Sequence, residues 1–141
     1  RVSPLVKSLY AAGVIRDAAE KIDHALPVAT AVAQDGTSRH GAYVANMCIG
    51  CHGTTLSGGK IPGAPPSWPA AANLTPGTGS AVARYASAHQ FRAMLRSGRR
   101  PDGTAVSEVM PFGSLRELDD QEVTALYAYL KELKPVAAGN R

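Results

Sequence analysis

Apolar residues recur every three or four positions near the start of the chain, which is the spacing of an amphipathic helix. Ser3 and Pro4 supply a capping hydroxyl and a first-turn proline, and Pro27 ends the pattern. The sequence therefore predicts a helix over about residues 4–25, followed by a linker that runs to Gly36. The apolar stripe consists of Leu5, Leu9, Ala12, Ile15, Ala19, Ile22 and Leu26.

A second helix is indicated over residues 37–52, where the Ser38 hydroxyl can cap the first turn. Residues 53–79 are dense in Gly and Pro and predict a long loop. A loop of this length in a small domain is usually functional or wrapped around something. A further tight turn is expected at Arg100–Gly103, where the sequence reads Arg-Pro-Asp-Gly.

Two more helices are predicted towards the C-terminus, and no segment alternates as a half-buried strand does. One covers residues 81–97 and is closed by Gly98. The other begins at Asp119 or Asp120, whose charge suits a helix N-terminus, and stops at Pro135. The expected inward positions are Val82, Tyr85, Phe91 (or Ala88), Leu95, Val123, Leu126, Tyr127, Leu130 and Leu133.

The composition leaves this all-α fold short of core-forming side chains. Leu, Ile, Val and Phe make up 28 of the 141 residues, while Ala alone contributes 24. That apolar content is low for a self-sufficient core, although the net charge of +4 is too small for disorder driven by charge repulsion. We therefore expect a bound cofactor to fill the middle of a domain at residues 37–141, with residues 1–36 as a separate N-terminal helix and linker.

Several classes of protein are disfavoured by the same sequence. No run of 18 or more apolar residues predicts a membrane-spanning helix, and any signal segment is expected to be absent already. No nucleic-acid-binding motif accompanies the positive charge, so nucleic acid is not an expected partner. The role of the N-terminal helix stays open. It either packs on its own domain or frays, or it contacts a partner subunit or follows a removed membrane anchor.

The chemistry of the chain is concentrated in Cys48-Ile49-Gly50-Cys51-His52, a Cys-x-x-Cys-His sequence. This is the signature of c-type haem attachment. Cysteines at positions i and i+3 lie on one side of a helical turn, where both can form thioethers with the vinyl groups of a haem. His52 then follows under the porphyrin with its imidazole directed at the iron, and Gly53 avoids crowding the macrocycle.

Three other interpretations of the two cysteines are possible. A thioredoxin-like redox pair requires a βαβ context, and no strand is predicted. A zinc site requires four ligands, which Cys48, Cys51 and two of four scattered histidines would barely supply. A structural pair that arose by chance is the third. The helical, loop-rich frame and the sparse core favour haem over all three.

From about Arg39 to Pro135 the chain resembles a class I, single-haem cytochrome c. It is similar to the cytochrome domains that accompany periplasmic dehydrogenases, often as membrane-anchored subunits. The resemblance implies an all-α cytochrome c fold of three to five helices with long loops around one covalently attached haem c. The residues that carry it are His40–Tyr43, Cys48–Gly53, Asn73–Pro76, Phe91–Arg96, Gly98, Arg100–Gly103, Met110-Pro111 and Leu126–Leu130.

The resemblance implies that Met110, in a Met-Pro context, is the second axial ligand of the iron. Met110 lies outside the predicted helices, so its loop can cross to the second face of the haem. Met47 adjoins Cys48 on the proximal side, and Met94 occupies a core position of a helix, where Met usually fills gaps. A histidine ligand and an open site remain alternatives, although His24, His40 and His89 are expected to be surface or otherwise hydrogen-bonded residues.

Further residues are expected around the haem. His52 needs a carbonyl to hold its outer N–H, and Pro62 or Pro65 could offer one. The resemblance implies that Trp68, Asn73 and Thr75 donate to the haem propionates, although Trp68 could equally serve packing. Five arginines lie between positions 84 and 100, of which Arg100 is the candidate partner for a propionate. These five form either a solvated face or a docking patch: Arg84, Arg92, Arg96, Arg99 and Arg100.

The resemblance implies an electron carrier, not an enzyme, that passes one electron from a dehydrogenase donor to an oxidase or another cytochrome. Covalent haem implies the periplasm, because thioether attachment normally takes place outside the cytoplasm. The precursor could carry a membrane anchor. Two alternatives stay open: a haem enzyme or gas sensor with an open sixth position on the iron, and a structural haem domain within a larger complex.

Overall fold

The computed structural model describes residues 2–17 and 19–141. Contacts within the chain divide it into two units, Arg1–Ala31 and Val32–Arg141. The predicted boundary at residue 36 falls inside the second unit. The reason is visible at Gln34, whose carbonyl accepts a hydrogen bond from the side chain of Gln121 at 2.9 Å.

The N-terminal unit contains a much shorter helix than the apolar stripe predicts. Helix α1 spans Pro4–Ala11, and Ser3 caps it by accepting a hydrogen bond from Val6 (3.3 Å). The prediction of a helix to residue 25 is wrong, because Gly13 takes a left-handed φ of +70° and ends it. A single 3-10 turn follows at Ala19–Lys21. None of the described residues from 2 to 31 is buried, so no tertiary packing supports a longer helix.

The second unit is built from five α-helices among the described residues, joined by long loops. The only β pairing in the described part is three isolated bridges, which confirms the expected all-α class. The helices are α2 (Ser38–Val44), α3 (Ile49–His52), α4 (Ala88–Ser97), α5 (Phe112–Leu115) and α6 (Asp120–Glu132). Single 3-10 turns lie at Ala45–Met47 and Val82–Arg84.

Side-chain caps decide where these helices begin and end. Thr37, and not the expected Ser38, caps α2 by accepting the N–H of His40 at 3.4 Å. The predicted helix over residues 81–97 is shortened, because Ser87 is extended and caps α4 at Ala88. Gly98 closes α4 in the left-handed conformation, as predicted.

Helix α6 begins at a complete capping box. The Asp119 carboxylate accepts the N–H of Glu122 (2.7 Å), and the Glu122 carboxylate accepts the N–H of Asp119 (2.9 Å). This confirms the predicted start of the last helix. Helix α5 was not predicted from the sequence. It is a single turn that follows Pro111.

Helices α2 and α6 cross at Gly41. A Cβ atom on Gly41 would lie 2.0 Å from the carbonyl oxygen of Ala125 and 2.7 Å from Cβ of Tyr129. Only glycine permits so close an approach of the two backbones. The crossing anchors the start of the chain segment that runs through α2 and the following 3-10 turn to Cys48.

A small core surrounds this crossing and confirms the predicted inward positions of α4 and α6. Leu126 and Leu130 are almost fully buried, and the rings of Tyr85 and Phe91 meet edge to face at 5.5 Å between centroids. The Tyr127 hydroxyl donates to the carbonyl of Tyr85 at 2.7 Å. Among the described helices, none is long and apolar enough to cross a membrane.

Candidate functional site

The Cys-x-x-Cys-His motif forms one helical turn beside an open cleft. Cys48 precedes α3, and α3 itself carries Cys51 and His52. Both cysteines are half-buried, free of any disulfide, and line the same cleft as His52. Gly53 ends the turn with a φ of +80°, a backbone conformation that residues other than glycine rarely adopt.

The cleft is lined mainly by carbon atoms. It encloses about 880 Å³ of space, including its mouth to solvent. Two separate loops and helix α5 supply aliphatic walls, so an apolar, plate-shaped group would be contacted from several sides. The aliphatic wall residues are Ile61, Pro69, Ala70, Ala71, Ala72, Val106, Val109, Pro111 and Leu115.

The orientation of the His52 imidazole is set by one hydrogen bond. Its Nδ1 lies 2.8 Å from the carbonyl oxygen of Ala72. Because a carbonyl can only accept, Nδ1 carries the proton and Nε2 keeps its lone pair available for a metal. The prediction that the carbonyl of Pro62 or Pro65 accepts this hydrogen bond is wrong, because the carbonyl of Ala72 accepts it. Burial lowers the pKa of His52, the hydrogen bond to Ala72 opposes this shift, and the positive charge of Arg141 adds a smaller lowering, so the net effect favours the neutral, ligating form of the ring.

The state of the cysteines bears on the alternative interpretations of the motif. Burial, together with the neighbouring Cys51, raises the pKa of the Cys48 thiol to about 11. A redox-active thiol has a lowered pKa instead. No group of three or more His, Cys, Asp or Glu side chains that could hold a metal ion occurs among residues 2–17 and 19–141. The structure therefore supports neither a thioredoxin-like pair nor a zinc site.

Of the three methionines, Met110 and Met47 line the cleft. Met110 lies in a turn where its N–H donates to the carbonyl of Ser107 at 3.1 Å, and its own carbonyl accepts from Phe112 at 2.8 Å. Met47 belongs to the turn before Cys48 and is 51% exposed. Met94 is 4% exposed within the core and does not contribute to the cleft.

The expected propionate partners lie in different places. Arg100 lines the cleft, with Nη1 donating to the carbonyl of Ala105 at 2.6 Å. Trp68, Asn73 and Thr75 are not among the cleft walls. Trp68 is 44% exposed, and the other two are buried. Their part in binding propionates stays a prediction.

Asn73 and Thr75 form a hydrogen-bonded pair that joins their loop to the C-terminal segment. The Thr75 hydroxyl donates to Oδ1 of Asn73 at 2.8 Å. Nδ2 of Asn73 donates to the carbonyl of Val136 at 2.9 Å, and the N–H of Val136 donates to the Thr75 hydroxyl at 3.1 Å. The pair therefore fixes the loop that carries Ala72, the partner of His52.

The five arginines do not form one uniform patch. Arg92 and Arg96 both pair with Asp120, the latter at 3.0 Å, so their charges are partly neutralised. Arg99 donates to the carbonyl of Gly103 at 3.0 Å.

The remaining histidines have separate surroundings. His24 and His89 are exposed, as expected. His40 is only 2% exposed, and its Nδ1 accepts the N–H of Gly36 at 3.4 Å. Of the two alternatives expected for His40, a surface residue or a hydrogen-bonded one, the structure shows the hydrogen-bonded one. None of these three histidines lines the cleft.

The residues present fit a covalently bound haem. Two thiols three residues apart share one turn, an imidazole with a free Nε2 follows them, and the cleft beside them is aliphatic. Sequence reasoning missed the Ala72 carbonyl and the guanidinium of Arg141, which donates to the carbonyl of Cys51 at 2.7 Å. No sequence signal marks the carbonyl of Ala72, and Arg141 lies far from the motif in the chain.

Comparison with known proteins agrees with this geometry. A cytochrome c subunit of alcohol dehydrogenase (quinone) from Gluconobacter oxydans is 32% identical over 116 residues, which cover 77% of this chain and 24% of that subunit. The fructose dehydrogenase cytochrome subunit of Gluconobacter japonicus is 34% identical over 105 residues, covering 70% of this chain and 21% of the relative.

A third relative is the gluconate 2-dehydrogenase cytochrome c subunit of Pantoea cypripedii. It is 29% identical over 116 residues, covering 77% of this chain and 26% of the relative. The chain thus spans about a quarter of the length of these relatives. Residues 40–134 match the family model described as Cytochrome c. This match covers more than half of the chain, which therefore belongs to the cytochrome c family, whose members hold haem c covalently and transfer electrons.

Proposed function

We propose that this chain is a periplasmic electron carrier whose single haem c is ligated by His52 and Met110. The observation that carries the proposal is one aliphatic cleft that is lined by Cys48, Cys51, His52 and Met110 together. A haem bound there supplies a ferric/ferrous couple that accepts and releases one electron. The protein holds this group, excludes water from it and sets its potential.

The two proposed axial ligands have complementary properties. His52 offers Nε2 of a neutral imidazole that is oriented by the Ala72 carbonyl. Met110 offers a soft thioether, which favours ferrous iron and raises the reduction potential. If both residues held the iron, no position would be left on it for a substrate. This favours a carrier over an enzyme.

The wall of the cleft gives independent support for a carrier. Catalysis at a haem would require an acid or base close to the iron. Among the described residues that line the cleft, none is Asp or Glu. Glu108, the acidic residue nearest to Met110 in sequence, lines a neighbouring pocket that shares Val106, Met110 and Pro111 with the cleft.

Donor and acceptor are proposed from the relatives, each of which is a cytochrome subunit of a named dehydrogenase. We propose that a dehydrogenase subunit reduces the haem of this chain and that another cytochrome or an oxidase reoxidises it. Arg100 lies in the cleft wall and Arg99 is exposed nearby, so an acidic partner surface would be attracted to this side. We propose a periplasmic location, because thioether attachment of haem normally takes place outside the cytoplasm. A membrane anchor or partner subunit would act through residues 1–36.

The test is the pair Met110→Ala and Met94→Ala. We expect the oxidised wild-type protein to show the weak far-red band of sulfur-to-ferric charge transfer. The band should vanish in Met110→Ala and persist in Met94→Ala, because Met94 is buried away from the cleft. Met110→Ala should also admit carbon monoxide to the reduced iron.

Two results would contradict the proposal. Persistence of the band in Met110→Ala would assign the sulfur ligand to another methionine. Ready binding of carbon monoxide by the reduced wild-type protein would show an open or labile sixth position. The chain would then be a haem enzyme or a gas sensor.

A further inference from the structure

The last residues of the chain return to the segment that follows the haem-attachment motif. Gly139 donates its N–H to the carbonyl of Ser57 at 3.0 Å. The Thr55 hydroxyl donates to the carbonyl of Asn140 at 2.7 Å. We call residues 136–141 the C-terminal tail. These contacts place the side chain of Arg141 against the Cys-x-x-Cys-His motif.

The short helix α3 leaves some of its carbonyl groups without a partner in the helix, as every helix end does. Backbone N–H groups of His52, Gly53 and Gly58 satisfy three of the five carbonyls of the motif, at 2.9, 2.9 and 2.8 Å. Among the backbone hydrogen bonds of the described residues, none reaches the other two. These belong to Gly50 and Cys51.

The guanidinium of Arg141 lies at both of the remaining carbonyls. Its Nη1 donates to the carbonyl of Cys51 at 2.7 Å, and its Nη2 lies 3.5 Å from the carbonyl of Gly50. The planar fork of arginine suits two neighbouring acceptors, and its positive charge suits the negative end of a helical turn. The carbonyl of Cys51 belongs to the peptide bond that leads directly to His52.

We propose that Arg141 is a positioning residue that caps the haem-attachment turn and keeps a positive charge beside the proximal imidazole, which raises the reduction potential of the haem. A haem centre carries one more positive charge when it is oxidised. A fixed cation nearby therefore destabilises the oxidised state more than the reduced state.

This inference rests on the proposed function, in which His52 ligates the iron, and deepens it by naming what holds that ligand in place. The test uses the haem-loaded protein and three variants: Arg141→Gln, Arg141→Lys and Arg39→Gln. Arg39→Gln removes the same unit charge from an exposed position in α2. In the described part of the chain, the Arg39 side chain forms no hydrogen bond or ion pair and does not line the cleft.

The first measurement is the midpoint potential. We expect Arg141→Gln to have a lower potential than the wild type, Arg141→Lys to keep most of it, and Arg39→Gln to leave it unchanged. Equal shifts in Arg141→Gln and Arg39→Gln, or no shift in either, would overturn the electrostatic part of the inference.

The second measurement is the denaturant midpoint of the oxidised protein. Lysine keeps the charge but lacks the planar pair of donors, so Arg141→Lys and Arg141→Gln should both unfold at lower denaturant than Arg39→Gln. Wild-type resistance in Arg141→Lys would overturn the capping role. If Arg141→Gln yields too little haem-loaded protein, Arg141→Lys decides both parts, because a lowered potential there would also contradict the charge argument.

Failure of this inference is distinguishable from failure of the proposed function. A wrong assignment of the axial ligands would appear in the wild-type protein, as high-spin haem or ready binding of carbon monoxide. A wrong assignment of Arg141 would leave the wild-type spectrum low-spin and would change only the comparison among the variants.

Discussion

Replacing Gly41 by alanine should separate the two helices that hold the domain together. The added Cβ would lie 2.0 Å from the carbonyl oxygen of Ala125, and ordinary contact begins near 3.4 Å. The neighbouring atoms belong to the backbone of α6 and to Cβ of Tyr129, so no rotamer change relieves the overlap. The helices must therefore move apart by roughly 1.4 Å at this point.

The cost of this movement follows from the side chains that it loosens. Val123, Leu126 and Leu130 are at most 2% exposed on the face of α6 that packs into the core. Burial of each contributes about 2 kcal/mol, and a gap approaching 1 Å forfeits up to about half of the contact energy. We expect Gly41→Ala to lower the free energy of unfolding by about 3 kcal/mol and Tm by roughly 10 °C or more.

The assay is guanidinium unfolding of the haem-loaded protein, followed by the fluorescence of Trp68, the only tryptophan, which bound haem quenches. Gly113→Ala is the matched control, because Gly113 also lies in a helix but a Cβ there meets nothing within 4 Å. We expect the control to be neutral or to gain up to about 1 kcal/mol. A Gly41→Ala protein as stable as the control would refute the reasoning from backbone contact.

Three further outcomes are expected. The denatured wild-type protein should exceed the mass of its chain by one haem, and acid–acetone should not extract that haem. Cys48→Ala or Cys51→Ala should strongly reduce the yield of mature haem-loaded protein. Extractable haem would contradict covalent attachment. The chain without haem should lack a native near-UV circular dichroism spectrum, because haem binding supplies folding energy that the sparse core lacks. Arg92, with help from Arg96, holds the pKa of Asp120 below its ordinary value. Since the folded-state pKa is depressed, the stabilising contribution of this pair is present above about pH 4 and is lost as pH falls through the lower folded-state value. A carboxyl NMR titration of the reduced protein should find the pKa of Asp120 raised more by Arg92→Gln than by Arg96→Gln, and the reverse order would be inconsistent with the structure.

The local sequence pattern predicts some of the helices correctly and others not. The last helix was predictable because its capping box and apolar spacing agree with the packing of its face against the core. The N-terminal helix was not, because an apolar stripe stabilises a helix only when something covers it. In the described residues from 2 to 31 no side chain is buried, and Gly13 with a φ of +70° ends α1 instead.

The haem-attachment chemistry is local in the chain, since Cys48, Cys51 and His52 lie within five consecutive residues and one helical turn brings them to one side. Their surroundings are not local. The carbonyl that orients His52 comes from Ala72, 20 residues later, and the guanidinium at the Cys51 carbonyl comes from Arg141, 90 residues later. Every residue carries a carbonyl, so nothing in the sequence marks Ala72 as the acceptor. Its role, like that of Arg141, exists only because loop and tail pack against the turn, and packing depends on the whole fold.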